Sequence, residues 1–250
     1  MKDDRYAKYG AATGLISVAL LVVGGIIVTP QPPDVSAPAD ELASFYIDEQ
    51  DGIRAGALII SIGLFFYVWF LGSLTSTLRI SSGNPRLPSI AFAGGVIGGG
   101  LFMVTVTAFA AAAFRPDQAT PEITQAVNDL GLIAAAPAAG AFAALFGATA
   151  LVILRGNALA EWLGWLAAIT AVAQLLPLGV MFTDEGAFAA DGALGLIVPV
   201  ITFVVTIAAL SIAIMRLPAE ERSLPDRVRG AVTGAASGAA AGASGRPPRA

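Results

Sequence analysis

The sequence predicts an all-α integral membrane protein: a six-transmembrane-helix bundle with both termini on the cytoplasmic side. Three observations carry that expectation. Of the 250 residues, 56% are hydrophobic and only 13% are charged, whereas an ordinary soluble domain runs at about 25% charged. The apolar residues gather into six uncharged runs, each long enough to cross the roughly 30 Å hydrocarbon core of a bilayer as a helix of about 20 residues. The positive charges then fall almost wholly in alternate loops. Transmembrane barrel strands would alternate apolar and polar residues over about ten positions, and no such alternation is present.

Residues 1–9 form a short cytoplasmic N-terminus holding Lys2, Arg5 and Lys8. The membrane domain spans 10–216, with spans at about 10–29, 55–78, 87–114, 130–154, 162–183 and 193–215. Arg79 and Arg86 lie between the second and third spans, Arg155 between the fourth and fifth, and six arginines after the sixth. Twelve of the fourteen cations thus share one side, leaving only Arg54 and Arg115 on the other. Arginine and lysine in short loops stay cytoplasmic, so both ends are expected inside a bacterial inner membrane. The small-x-small step Ala37-Pro38-Ala39 resembles a signal-peptidase site, but the first apolar run is too long for a signal peptide and ends well before it. Residues 217–250 mix prolines, both charge signs and a Gly/Ala/Ser run; such a segment buries too little apolar surface to offset ordering entropy and is expected to be a disordered cytoplasmic tail.

Composition also excludes chemistry. Without cysteine there is no disulfide, thiolate nucleophile or cysteine-held cluster, and without histidine no histidine-ligated zinc or haem and no serine–histidine relay. No cofactor is expected, and a net charge of −4 offers no reason to expect nucleic acid. A transporter driven by protons usually keeps an ionisable group inside a span, yet the six cores contain no Asp, Glu, Lys or Arg. The remaining polar candidates are Tyr67, Thr75, Ser76, Thr77, Thr105, Thr107, Gln174, Thr202 and Thr206. Helical Ser and Thr usually bond their own backbone. Gln174 is the most polar of the set, suited either to a small pocket beside Pro177 or to a bond with a neighbouring helix.

Pro137, Pro177 and Pro199 are expected to kink spans four, five and six. Gly94 with Gly98, and Gly95 with Gly99, place small residues four apart on a helix face where another backbone can approach. Their partner is expected within the chain, with a protein partner or self-association as the alternative. The outer loops are acidic, with Asp34, Asp40, Glu41, Asp48, Glu49 and Asp51 in the first and Asp184, Glu185 and Asp191 in the third. Their spacing matches no calcium loop, and a solvated rim is the simpler reading. Each ends in Asp-Gly before an inward-running span, where a carboxylate suits the positive end of a helix. Trp162 and Trp165 fit an interfacial aromatic belt.

Arg54 opens the second span, three residues after Asp51, against the charge asymmetry that every other arginine except Arg115 obeys. Its stem can lie along apolar surface with the guanidinium at headgroup level. Arg54, Asp51 and Gln174 are therefore the candidate ligand or anchor residues. The order of features, with Arg54 heading span two and LRGNALAEWLGWLAAI at 154–169 entering span five, resembles the bacterial membrane family catalogued as DUF4386, a domain of unknown function. The resemblance covers about residues 8–215 and rests on Arg54 and the Trp162-Leu163-Gly164 step; Ala160 and Glu161 depart from the proline and basic residue of the family pattern. It implies a multi-span bacterial inner-membrane protein and no particular reaction. The expected role is non-enzymatic sensing, scaffolding or modulation, with facilitation or binding of a small neutral or lipid-like solute as the alternative.

Overall fold

A computed structural model describes residues 2–82, 84–156, 159–183 and 186–217, with side chains from residue 9 onward. The predicted disordered tail, beyond Leu217, lies outside the described residues, as do Asp184 and Glu185 of the third acidic loop. All regular structure among the described residues is helical, and six helical segments are long and apolar enough to cross a membrane. This is a multi-pass membrane protein.

In chain order, α1 covers Lys2–Val22 and continues as a π-helical turn, Val23–Val28. A short helix α2, Ala39–Asp48, precedes α3, Gln50–Ser82, and α4, Arg86–Ala112. The longest helix is α5, Pro121–Arg155, followed by α6, Glu161–Ala173, and a 3-10 segment, Leu176–Met181. A π-helical turn, Ala193–Ile197, leads into α7, Val198–Arg216. One end of the bundle carries the acidic 29–54 connection together with Arg115. The opposite end carries Arg79, Arg86 and Arg155.

The helices overrun the apolar runs that announced them. The second span begins at Gln50, and the fourth at Pro121, nine residues before Leu130. At 1.5 Å per residue a 35-residue helix is about 50 Å long, well beyond the hydrocarbon core. The surplus at the acidic end supports α2, a short helix within the acidic connection between the first two spans. Its Leu42 and Tyr46 are buried with Ile53 of α3 and with Ala112 and Ala113 at the end of α4, with Phe45, Phe109 and Val127 packed around them. Asp40 and Glu41 in its first turn meet the positive end of its helix dipole.

Within the bundle α4 runs between α3 and α5. A methyl group at Gly94 would come 2.7 Å from the Ala141 carbonyl oxygen and the Leu145 nitrogen, so the α4 and α5 backbones touch there. Gly98 lies under the Phe142 ring, whereas Gly95 and Gly99 lie against Leu71 and Tyr67 of α3. All four glycines are buried. Both small-residue pairs therefore meet helices of the same chain, which leaves them no open face. In lipid, where burial of apolar surface adds little between helices, such close van der Waals contact drives association.

The prolines act differently from one another. Helix α5 continues through Pro137 without an interruption of its helical run. Pro177 follows the end of α6 and opens the tighter 3-10 segment, so span five does break there. Pro199 is the second residue of α7, at the junction with the π turn, so its missing N–H falls in a first turn and causes no mid-helix break. Large apolar side chains, among them Leu58, Phe65, Val68, Trp69, Ile97 and Val104, face outward from the bundle, as lipid contact demands.

Candidate functional site

Three places gather charged or polar side chains into local groups. The first is Arg54. Its position in the opening turns of α3 directs it across to the C-terminal end of α4, where the last carbonyls of a helix lack intrahelical partners. Arg54 Nε donates to the Ala113 carbonyl at 2.8 Å and Nη2 donates to the Phe114 carbonyl at 2.5 Å. A guanidinium at this end also meets the negative pole of the α4 dipole. The guanidinium lies 5.8 Å from the centre of the Phe114 ring, and that of Arg115 lies 5.3 Å from the same ring. Both cations of the acidic end thus lie close to one aromatic ring.

Asp51 contributes little to this clasp. It stands 3.8 Å from Arg54 Nη1 with its side chain 97% exposed, and an ion pair so exposed is screened by water. Asp51 does lie in the first turn of α3, where the Asp-Gly step was expected to place a carboxylate; Asp191-Gly192 likewise precedes the π turn of the last span. Asp48 does not bond Arg54. Phe114 and the Ala113 carbonyl are the partners that sequence reasoning missed, since a backbone carbonyl nearly sixty residues away leaves no mark in composition or spacing.

The second place lies between the last two spans. Gln174 caps α6, is 4% exposed, and donates from Nε2 to the Pro199 carbonyl at 2.8 Å. One turn earlier Thr170 donates to its own Leu166 carbonyl or shares a hydrogen bond, at 2.6 Å, with the Thr206 hydroxyl. Thr202 bonds back to the Val198 and Pro199 carbonyls. The amide, hydroxyls and loosened carbonyls of two broken spans therefore satisfy one another. Gln174 bonds a neighbouring helix, the second of its two expected uses.

Beside this ladder the interior is aromatic. Phe203 of α7 meets Phe142 and Phe146 of α5 at centroid distances of 5.0 and 5.5 Å, and Tyr67 of α3 at 6.0 Å. The pairs of Phe203 with Phe142 and Phe146 are edge-on and each worth about 0.5–1.5 kcal/mol beyond their burial, whereas the Tyr67 ring is tilted against Phe203. Tyr67, a polar candidate by sequence, is a core aromatic with 1% exposure.

The third place is a cleft of about 440 Å³ at the basic end, between the last turns of α3 and α5 and the first turns of α4. Arg86 and Arg155 line it together with Ser81, Asn84, Ile90 and Leu151. Sequence reasoning assigned these arginines only to topology. At the same end Trp162 and Trp165 are exposed, and Trp165 Nε1 donates to Glu161 at 3.3 Å, as befits side chains at an interface. Among the described residues no three Asp or Glu side chains gather as a metal ion would require.

Comparison with family models, with curated proteins and with solved structures returned no match to this chain.

Proposed function

We propose that this chain is a non-enzymatic bacterial inner-membrane protein of the DUF4386-like kind, with both termini cytoplasmic, that presents its acidic outer end to partners as a sensor or scaffold. The observation that carries the reading is the docking of α2. Its apolar face is held against α3, α4 and α5 by Leu42 and Tyr46, and the Tyr46 hydroxyl donates to Asn128 Oδ1 at 2.9 Å. The opposite face, with Asp40, Glu41, Ser44, Ile47 and Asp48, is exposed. A fixed helix edge bearing carboxylates and a bare isoleucine is a contact surface for a cationic partner. The charge asymmetry of the loops supports placing that edge outside.

A second reading, binding or facilitation of a small neutral or lipid-like solute, draws on the coincidence of two broken spans at Gln174 and Pro199, since broken helices line many transport sites. Their mutual hydrogen bonds and the Phe142–Phe146–Phe203 packing favour the contact role over it.

The chain has no cysteine, so Ser44→Cys introduces one thiol on the exposed edge of α2. A membrane-impermeant maleimide is expected to label it in intact spheroplasts; labelling only after lysis contradicts the topology. A photoreactive side chain at Ile47 is expected to give a discrete adduct in cells that Asp40→Asn with Asp48→Asn removes. An adduct pattern unchanged by neutralisation contradicts an acidic contact surface.

A further inference from the structure

The cleft at the basic end differs from the Arg54 clasp in one respect that points to a ligand. Arg54 spends its donors on backbone carbonyls. Among the described residues, Arg86 and Arg155 have no carboxylate within ion-pair distance and no backbone carbonyl that receives their side chains. The smaller polar groups of the cleft are already committed: Ser81 Oγ donates to the Thr77 carbonyl at 2.9 Å, Ser82 Oγ donates to the Asn84 carbonyl at 2.7 Å, and Asn84 Oδ1 accepts from the Arg86 N–H at 2.9 Å. Two guanidinium forks, each with five N–H donors, remain as open polar groups together with the Asn84 amide N–H2.

Helix electrostatics explains one of them and not the other. Arg155 is in the last turn of α5, where a cation meets the negative pole. Arg86 is the first residue of α4, at the positive pole, where a cation is disfavoured unless an anion lies close by. The preference for cytoplasmic arginine accounts for the side of the membrane on which both residues lie, but not for their convergence on one cleft from separate helices. An anion between them would answer both charges and the α4 terminus together.

The rest of the wall defines what carries the anion. Ile90 and Leu151 are each 41% exposed on the outer surface of the bundle, so the cleft passes from a basic mouth to an apolar flank. A volume of about 440 Å³ lies within the roughly 300–1,000 Å³ of small-molecule sites. We propose that this cleft binds the phosphate of an anionic phospholipid, with Arg86 and Arg155 donating to the phosphate oxygens and an acyl chain lying along Ile90 and Leu151. Arginine forks match phosphate in paired, charge-assisted hydrogen bonds, and basic pockets between spans are suited to such headgroups. A free phosphate would use the same arginines but not the apolar flank. The site is independent of the contact role of α2.

The full chain, purified in detergent, is tested by native mass spectrometry with equal amounts of dioleoylphosphatidylglycerol and dioleoylphosphatidylcholine. The wild type is expected to retain phosphatidylglycerol selectively, and the double variant Arg86→Gln with Arg155→Gln to lose at least about tenfold of that retention. Arg79→Gln, a cation at the same end outside the cleft, is expected to change nothing. Leu151→Trp fills the apolar flank with both arginines intact and is expected to weaken retention as well. The proposal is overturned if the double variant holds the lipid as the wild type does, if Arg79→Gln weakens it equally, or if Leu151→Trp leaves it unchanged. Displacement of the lipid by millimolar inorganic phosphate would assign the arginines to a free anion and overturn the lipid as occupant.

Discussion

Arg54 shows how a single side chain can look like a ligand site and serve as a joint. A cation at the acidic end of the bundle invites an anion, yet two of its nitrogens end on carbonyls left over at the C-terminal end of α4. Those carbonyls sit at the acidic end, where α2, α3, α4 and α5 all meet, so the clasp ties span two to span three. A hydrogen bond to a charged donor is worth about 1.5–3 kcal/mol when buried, and Arg54 is only partly buried. Arg54→Ala is therefore expected to cost about 1–2 kcal/mol of stability, read as a lower midpoint of thermal unfolding in detergent. Arg54→Lys recovers part of it, because an ammonium keeps the charge but cannot fork between two carbonyls. Asp51→Asn is expected to leave the midpoint unchanged. A midpoint for Arg54→Ala equal to wild type would free the arginine for a ligand.

At the level of elements, the six spans were legible because a run of apolar residues is a long, redundant signal. Their true lengths were not, because polar residues such as Gln50, Asp51 and those at 121–129 extend a helix once they can pack or be solvated outside the hydrocarbon. Helix α2 was hidden for the same reason: its apolar residues, Leu42, Phe45 and Tyr46, are few, and they bury only because α5 projects far enough to receive them. The docking has a pH signature. Burial, reinforced by the nearby charge of Asp129, pushes the Tyr46 phenol well above its ordinary value near 10. The folded state thus holds a proton that the unfolded chain releases, so the stabilisation is complete below about pH 10 and declines as pH rises above it. Release of α2, followed as proteolytic cutting between residues 29 and 50, is expected to begin only above about pH 10. Tyr46→Phe removes that alkaline step and, through loss of the bond to Asn128, costs about 1 kcal/mol at neutral pH. Alkaline release persisting in Tyr46→Phe would place its cause elsewhere.

Among the described residues the spans pack as a bundle whose core is filled by their own side chains. Gly94 and Gly98 bring α4 onto α5, Tyr67 and three phenylalanines fill the space toward α7, and Thr170, Thr206, Gln174 and Pro199 satisfy the polar groups freed by two broken spans. The glycine spacing and the proline positions were visible in the sequence. The mutual satisfaction of Gln174 and Pro199 was not, since it depends on two breaks meeting at one depth. The proposed functions lie at the ends of the bundle, on the acidic edge of α2 and in the basic cleft. The most direct test is solute flux through the purified protein in liposomes, followed by light scattering after an osmotic step with glycerol or urea. The expected swelling rate is that of protein-free liposomes, unchanged by Gln174→Leu; swelling several-fold faster than that baseline and lost in Gln174→Leu would show a solute path through the bundle.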